Sequence, residues 1–353
     1  MTKSRYFSYL KEIKESQHTT IETENDKILI IDGLNTFIRC FAVNPASNDD
    51  GTHIGGIVGF LKSIGYAIKL SNPTRCIIVF DGKGGSKRRR KVFPDYKNKR
   101  KPTTRFNRTD HFLTKKDEQI SMAAQLQRLV QYLEQTPITI LSIDQVEADD
   151  VISYISEQIY PNSEKVIMST DKDFLQLVND KTRVWSPTKK KMYTKESLFT
   201  EYGISSSNFL LYRVLDGDKS DSVPGIKGAG LKTIQKRFPT LSEDKELTIE
   251  NLISYSDEHK TEAKIYQNIL ESKDQLELNY KLMQLKKVDI SGTAKLKINE
   301  IVNYPIQRLV KFQFQKMVME DKLYTAFPDI NSWLVATFNV LHTCAEMTHK
   351  KEG

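Results

Sequence analysis

The stretch QVEADDVI (145–152) sets Glu147, Asp149 and Asp150 within four residues, immediately ahead of an apolar run. Other carboxylates follow β-branched apolar runs. Asp32 closes KILIID (27–32), Asp81 closes TRCIIVFD (74–81), and Asp171 and Asp173 follow KVIMST (165–170). Asp218 and Asp221 flank the turn in GDKSD (217–221). Taken singly, an acid after a strand is an ordinary helix N-cap, and an acidic first turn complements the helix dipole. Capping does not explain four strand ends that share the feature. Carboxylates gathered on one sheet edge raise one another's pKa values unless a cation neutralises them. Hard oxygen donors without His or Cys select Mg²⁺ or Mn²⁺ over zinc. Two such ions suit in-line phosphoryl chemistry, activating water and stabilising charge on phosphorus and the leaving oxygen.

Directly after Asp81 comes the basic part of the chain. Residues 83–116 hold fourteen Lys or Arg against Asp95 and Asp110, a local charge of +12 within a chain total of +8, so the remainder is near −4. A charge run alone is usually a solvated loop. Beside an acidic edge that holds metal, it is the electrostatic footprint of a polyanion. In KRRRKVFPDYKNKRK (87–101), cations such as Arg88, Arg90 and Lys99 can follow a phosphate backbone, and Tyr96 can stack on a base or serve as a core aromatic. Lys97 and Arg100 can approach a scissile phosphate. In VPGIKGAGLKT (223–233), Gly225, Gly228 and Gly230 can take positive φ and expose backbone amides as a phosphate nest, with Lys227, Lys232 and Thr233 adding contacts.

These residues need a scaffold. The apolar runs at 27–32, 74–81, 138–144 and 165–170 alternate with helical patterns over 55–70 and 117–134 and from Ala148 onward. The helix over 117–134 is expected to bury Ile120, Ala123, Leu126, Val130 and Leu133. Buried strands alternating with helices predict an α/β fold with a mostly parallel central sheet covered on both faces. Residues 182–194 read as an extended pair, and the chain beyond 195 as mostly helical. Asn303 and Pro305 predict a helix start running through Asp321, and the polar last dozen residues are expected to fray. Residues 1–26 read as an extension with a short amphipathic helix around Phe7, Leu10 and Ile13.

Hydrophobic residues make up 39% and charged residues 28%, as in soluble globular proteins. No run is long and apolar enough to span a bilayer, and MTKSRYFSYLKEIKES lacks the apolar core of a secretory signal. Three scattered cysteines argue against a disulfide framework and for a cytoplasmic location.

Six motifs in order, HIGGIVGFLKSI, CIIVFDG, RRRKVFPDYKNKR, QVEADDVI, VIMSTDKDFLQLV and LDGDKSDSVPGIKGAGLKT, resemble the flap endonuclease-like 5′ nuclease family. The resemblance covers about 60% of the chain, from Ile28 to Phe238. Residues 184–194 are particularly similar to the ribonuclease H enzymes of T-even-type bacteriophages, which belong to that family and remove RNA primers. The resemblance implies a PIN-like nuclease domain over 27–238 and a helical C-terminal region over 239–353. Within the domain, 83–118 would form a basic helical gateway or arch and 210–238 a helix–three-turn–helix element. It implies one Mg²⁺ site at Asp32, Asp81, Glu147 and Asp149, with Asp150 close by, and a second at Asp171, Asp173, Asp218 and Asp221. Arg89, Tyr96, Lys97 and Arg100 would grip the 5′ strand. Residues 223–233 would hold duplex DNA and a K⁺ ion.

The implied activity is cleavage near the 5′ end, flap or nick of DNA or RNA–DNA duplexes. The protein would act as a monomer, with single-stranded DNA-binding protein and the sliding clamp as partners. QRLVKFQF (307–314) only partly approximates a clamp-binding peptide and reads as an ordinary helix face. A dehalogenase-like phosphatase would need an Asp-x-Asp where Asp32-Gly33-Leu34 stands, and a silent junction binder would have lost some acids.

Overall fold

A computed structural model describes residues 25–98, 107–108 and 111–351. The expected N-terminal helix and residues Lys99 and Arg100 lie outside these. Among the described residues one sheet forms from β1 (Lys27–Asp32), β2 (Arg75–Asp81), β3 (Thr139–Ile143), β4 (Glu164–Met168), β5 (Thr182–Ser186) and β6 (Lys191–Tyr193). The order is β3-β2-β1-β4-β5-β6, parallel through β5, with β6 returning antiparallel. The connections are α1 (Gly33–Val43), α2 (Gly55–Ser71), α3 (Lys87–Val92), α4 (Lys115–Leu133) and α5 (Ala148–Tyr154). Alternate strand residues feed opposite faces. Leu29, Ile31, Cys76, Ile78 and Met168 pack under α1, α2 and α4, while Ile28, Ile30, Ile77, Val79 and Ile167 pack under α5. Burial on both faces is why these strands read as unbroken apolar runs.

Strand order reverses between β1 and β4, and open α/β sheets place their ligands at that switch point, beyond the carboxyl ends. The chain continues through α6 (Lys195–Tyr202), α7 (Phe209–Asp216), α8 (Leu231–Arg237), α9 (Ile249–Glu258), α10 (Lys264–Glu271), α11 (Lys273–Met283), α12 (Gly292–Asn303), α13 (Lys311–Glu320) and α14 (Ile330–Lys351). Leu276, Ile298 and Val302 join the α5 face, whereas Phe314, Leu334 and Phe338 join the opposite one. The C-terminal third therefore closes on both sides of the sheet. No helix among the described residues is long and apolar enough to cross a membrane, and the three cysteines are buried.

Several local expectations are corrected. No helix starts at Asn303: α12 ends there, and the following residues are drawn across the end of α4. The Val310 N–H donates to the Gln135 carbonyl at 2.9 Å, and Ile306 and Leu309 are buried. The polar C-terminus is helical to Lys351, anchored by buried Cys344 and Ala345. Leu309 and Phe314 are core residues, so 307–314 is not free to act as a clamp-binding peptide. In α4, Ile120 and Ala123 are exposed, and the buried stripe runs through Glu118, Gln125, Leu129, Tyr132 and Leu133.

Gln125 faces inward because its Oε1 accepts the Gly56 N–H (2.9 Å) in the first turn of α2, where amides lack helical partners. Its Nε2 lies 3.1 Å from His53 Nδ1, and His53 Nε2 lies 2.8 Å from the Asn44 carbonyl, contacts that a neutral imidazole satisfies. Burial lowers the His53 pKa below its ordinary 6.5, outweighing the Asn44 contact, and neighbouring His111 lowers it further. With the folded value depressed, this contribution to stability is complete above the unfolded pKa and is lost as pH falls through the folded one. The buried acids with raised pKa values act in the opposite sense over the same range, so the His53 contribution is read as a difference. As pH falls through the folded His53 value, the urea midpoint of wild type is expected to fall relative to that of His53→Gln. An identical pH dependence in both proteins would refute the assignment.

Candidate active site

Several of the acids make capping or strand-end hydrogen bonds. Asp32 caps α1, its Oδ1 accepting the Asn35 N–H (3.2 Å), while its Oδ2 accepts the Ser169 hydroxyl beyond β4 (3.0 Å). Asn35 in turn accepts the Thr170 hydroxyl (2.8 Å), fastening the two strand ends at the switch point. Asp81 Oδ1 accepts the Ala148 N–H (2.9 Å), which seats the start of α5, and with it Glu147, Asp149 and Asp150, beyond β2. Asp171 caps the 3₁₀ turn Lys172–Leu177 through the Asp173 N–H (2.8 Å). The GDKSD turn is closed by reciprocal backbone bonds between Asp218 and Val223 (2.9 and 2.8 Å).

Burial pushes the Asp32 carboxyl up to about 7 against the pull of Asn35 and Ser169, with Asp81 and Asp171 adding to the rise. Asp173 is likewise raised to about 7 by burial and then by Asp171. Asp149 rises through burial and Asp171, and Asp171 through burial, with Asp221 and Asp218 contributing. Glu147 differs: the Arg89 and Lys97 charges overcome its burial and hold it below the usual range. The acids therefore share one electrostatic field.

They do not yet share one coordination sphere. Among the described residues no three His, Cys, Asp or Glu side chains are gathered as a metal centre requires. The physical reason is that Glu147, Asp150, Asp173 and Asp218 are drawn onto Arg89, Lys97 and Arg213. An all-oxygen set of closely placed, mutually repelling carboxylates still suits a hard divalent cation.

The basic segment contributes differently from the sequence expectation. Arg89 is 5% exposed, locked onto Glu147, Asp150 and the Leu282 carbonyl, so it does not face a DNA strand. Tyr96 is a core ring, 4% exposed beneath Lys97, not an open stacking platform. Lys97 stands at φ +56°, its N–H donating to the Asp221 carbonyl (2.9 Å) and its Nζ to Glu147. That residue ties the basic segment to both groups of acids. Arg88 reaches Asp150 (3.2 Å), and exposed Arg90 donates to the Tyr96 carbonyl (3.3 Å).

Residues 27–203, about half of the chain, match the family model of the 5′–3′ exonuclease N-terminal, resolvase-like domain. The chain belongs to the 5′–3′ exonuclease family. A 5′–3′ exonuclease of Aquifex aeolicus (strain VF5) is 31% identical over 306 residues, spanning 84% of this chain and 96% of its own. Flap endonuclease Xni of Shewanella halifaxensis is 30% identical over 280 residues, spanning 77% and 97%. Among solved structures, the bacteriophage T5 D15 flap endonuclease in a complex with DNA and metal ions superposes with a TM-score of 0.60 at 22% identity. It covers 84% of this chain and 99% of that one, and speaks for the fold.

In this family member the glycine-rich stretch follows α7. Gly228 takes positive φ (+86°), as does Gly217 (+72°), whereas Gly225 and Gly230 do not. Gly225 is needed for close approach, since a Cβ there would fall 2.1 Å from the Asp216 carbonyl oxygen. Gly230 is the N-cap of α8 at φ −73°. Lys227 and Lys232 are exposed and Thr233 half-buried. The sequence reading missed Asn35, Ser169 and Arg213. Arg213 alone left a trace, as a cation inside the apolar helix FLLYRVLD.

Proposed function

We propose that the protein is a Mg²⁺-dependent, structure-specific 5′ nuclease. It would hydrolyse phosphodiesters near the 5′ end of a flap, nick or RNA–DNA duplex by a two-metal mechanism. The observation that carries this reading is the placement of nine carboxylates, from four strand ends and one turn, at the carboxyl edge beside a basic segment. The names borne by the relatives, exonuclease and flap endonuclease, support it. Asp32, Asp81, Glu147 and Asp149 would hold one ion, with Asp150 close by. Asp171, Asp173, Asp218 and Asp221 would hold the other, partly through water; Mn²⁺ would substitute. When bound, such ions supply an activated water and charge stabilisation at phosphorus and the leaving oxygen. Lys97 adds a cation at the same edge, and Arg100 is proposed to join it. The similarity of residues 184–194 to T-even phage enzymes supports removal of RNA primers or flaps during phage replication. Such a protein would work as a monomer in the host cytoplasm, beside single-stranded DNA-binding protein.

A labelled 5′ flap, as DNA or with an RNA 5′ segment, tests the reading in Mg²⁺ and in EDTA. Metal-dependent cutting at the junction is expected. Tight binding without cleavage would favour a silent junction-binding protein instead. The exposed face of residues 223–233 is proposed to hold duplex phosphates and a K⁺ ion. Lys232→Ala should accordingly weaken duplex binding and lower the salt slope by about one. An unchanged slope in a binding titration would remove Lys232 from the interface.

A further inference from the structure

Arg213 has no part in the chemistry above, yet it sits inside the acid cluster at 4% exposure. Its Nε donates to Asp173 Oδ1 (2.8 Å), its Nη2 to Asp218 Oδ2 (2.7 Å) and its Nη1 to the Gly217 carbonyl (3.1 Å). Asp216 Oδ2 lies 3.5 Å from Nη1. The guanidinium thus spans two separate segments, the 3₁₀ turn after β4 and the turn after α7. Asp218 is engaged on both oxygens, because Oδ1 also accepts the Ser220 N–H (2.7 Å), the Ser220 hydroxyl (2.6 Å) and the Asp221 N–H (3.2 Å).

We propose that Arg213 is a positioning residue: a built-in counter-ion that spaces Asp173 and Asp218 before a divalent cation enters and weakens the hold on the second cation. The proposal rests on the metal reading of the site. A fixed positive charge between two carboxylates opposes a second cation there and also prevents the acids from splaying apart. A planar fork with several donors can hold both acids at once, which a lysine ammonium on a flexible stem cannot.

The test combines Mn²⁺ titration calorimetry with thermal denaturation in EDTA and in Mn²⁺, on the full chain as wild type, Arg213→Met and Arg213→Lys. Wild type is expected to bind two Mn²⁺ ions, one more weakly. Arg213→Met should melt lower in EDTA, gain more from Mn²⁺ than wild type does, and tighten the weaker site at least about fivefold. Its kcat on a flap should fall at least about tenfold with KM little changed. Arg213→Lys should recover part of the melting temperature in EDTA.

An equal loss of melting temperature with and without Mn²⁺, together with an unchanged titration, would reduce Arg213 to a packing residue. Should Arg213→Met fail to fold, an unaltered weaker site in Arg213→Lys would overturn the proposal. Wild-type protein that binds no Mn²⁺ would refute the metal reading itself, and the proposal with it.

Discussion

Asp171→Asn is expected to slow flap cleavage by about a thousandfold while duplex affinity stays within about twofold of wild type. The substitution keeps what the fold needs from this side chain. An amide oxygen can still accept the Asp173 N–H and cap the 3₁₀ turn, so the loop after β4 should hold its shape. What it removes is one negative charge from the group formed by Asp171, Asp173, Asp218 and Asp221. Among the described residues Asp171 forms no ion pair, whereas Asp173 and Asp218 are already shared with Arg213. Its charge is therefore the one most open to an incoming divalent ion. Single-turnover cleavage in Mg²⁺ gives the rate, and anisotropy with labelled duplex in Ca²⁺ gives the affinity. A parallel loss of binding would mean that Asp171 acts through DNA or through the fold, and the ligand assignment would fail.

The sheet was legible in the sequence because its strands are buried on both faces, and unbroken β-branched runs leave little else for them to be. Seven of the nine acids were legible for a similar reason: each follows a strand end, and the carboxyl ends of parallel strands are brought together by topology, while Asp218 and Asp221 were marked by their turn. The arrangement of partners around them was not. Whether Arg89 points out toward a phosphate or inward onto Glu147 depends on where α11 ends, since the Leu282 carbonyl takes its Nε. That contact joins residues 193 positions apart, and no local pattern announces it. The same holds for α4, where an apolar count favoured Ile120 and Ala123. The buried side was decided instead by Gln125 meeting unpaired amides at the start of α2. The break between α12 and α13 arose because tertiary hydrogen bonds to the end of α4 outweighed a plausible N-cap at Asn303. Local propensity is a weak prior wherever a distant backbone group needs a partner.

Arg89→Ala is the variant in which this difference has the largest consequence for stability. As a strand-gripping residue, Arg89 would lose DNA affinity on truncation and leave the folded state intact. As placed in the structure, it neutralises Glu147 and Asp150, which are 2% exposed each, and donates to Asp150 at 2.7 and 3.0 Å. Removing Arg89 leaves Glu147 to Lys97 and Asp150 to half-exposed Arg88, a loss that approaches the cost of a broken buried ion pair, about 3–5 kcal/mol. Total stabilities run to only about 5–15 kcal/mol, so Arg89→Ala should lower the urea midpoint in EDTA by a large fraction of its value. Arg89→Lys should lie between the two, because an ammonium restores the charge without the bidentate geometry. If the cost is the stranded charge, adding Glu147→Gln and Asp150→Asn to Arg89→Ala should recover part of the urea midpoint, although cleavage stays lost. A midpoint equal to wild type in Arg89→Ala, with weakened flap binding, would return Arg89 to the DNA interface and contradict the buried pairing.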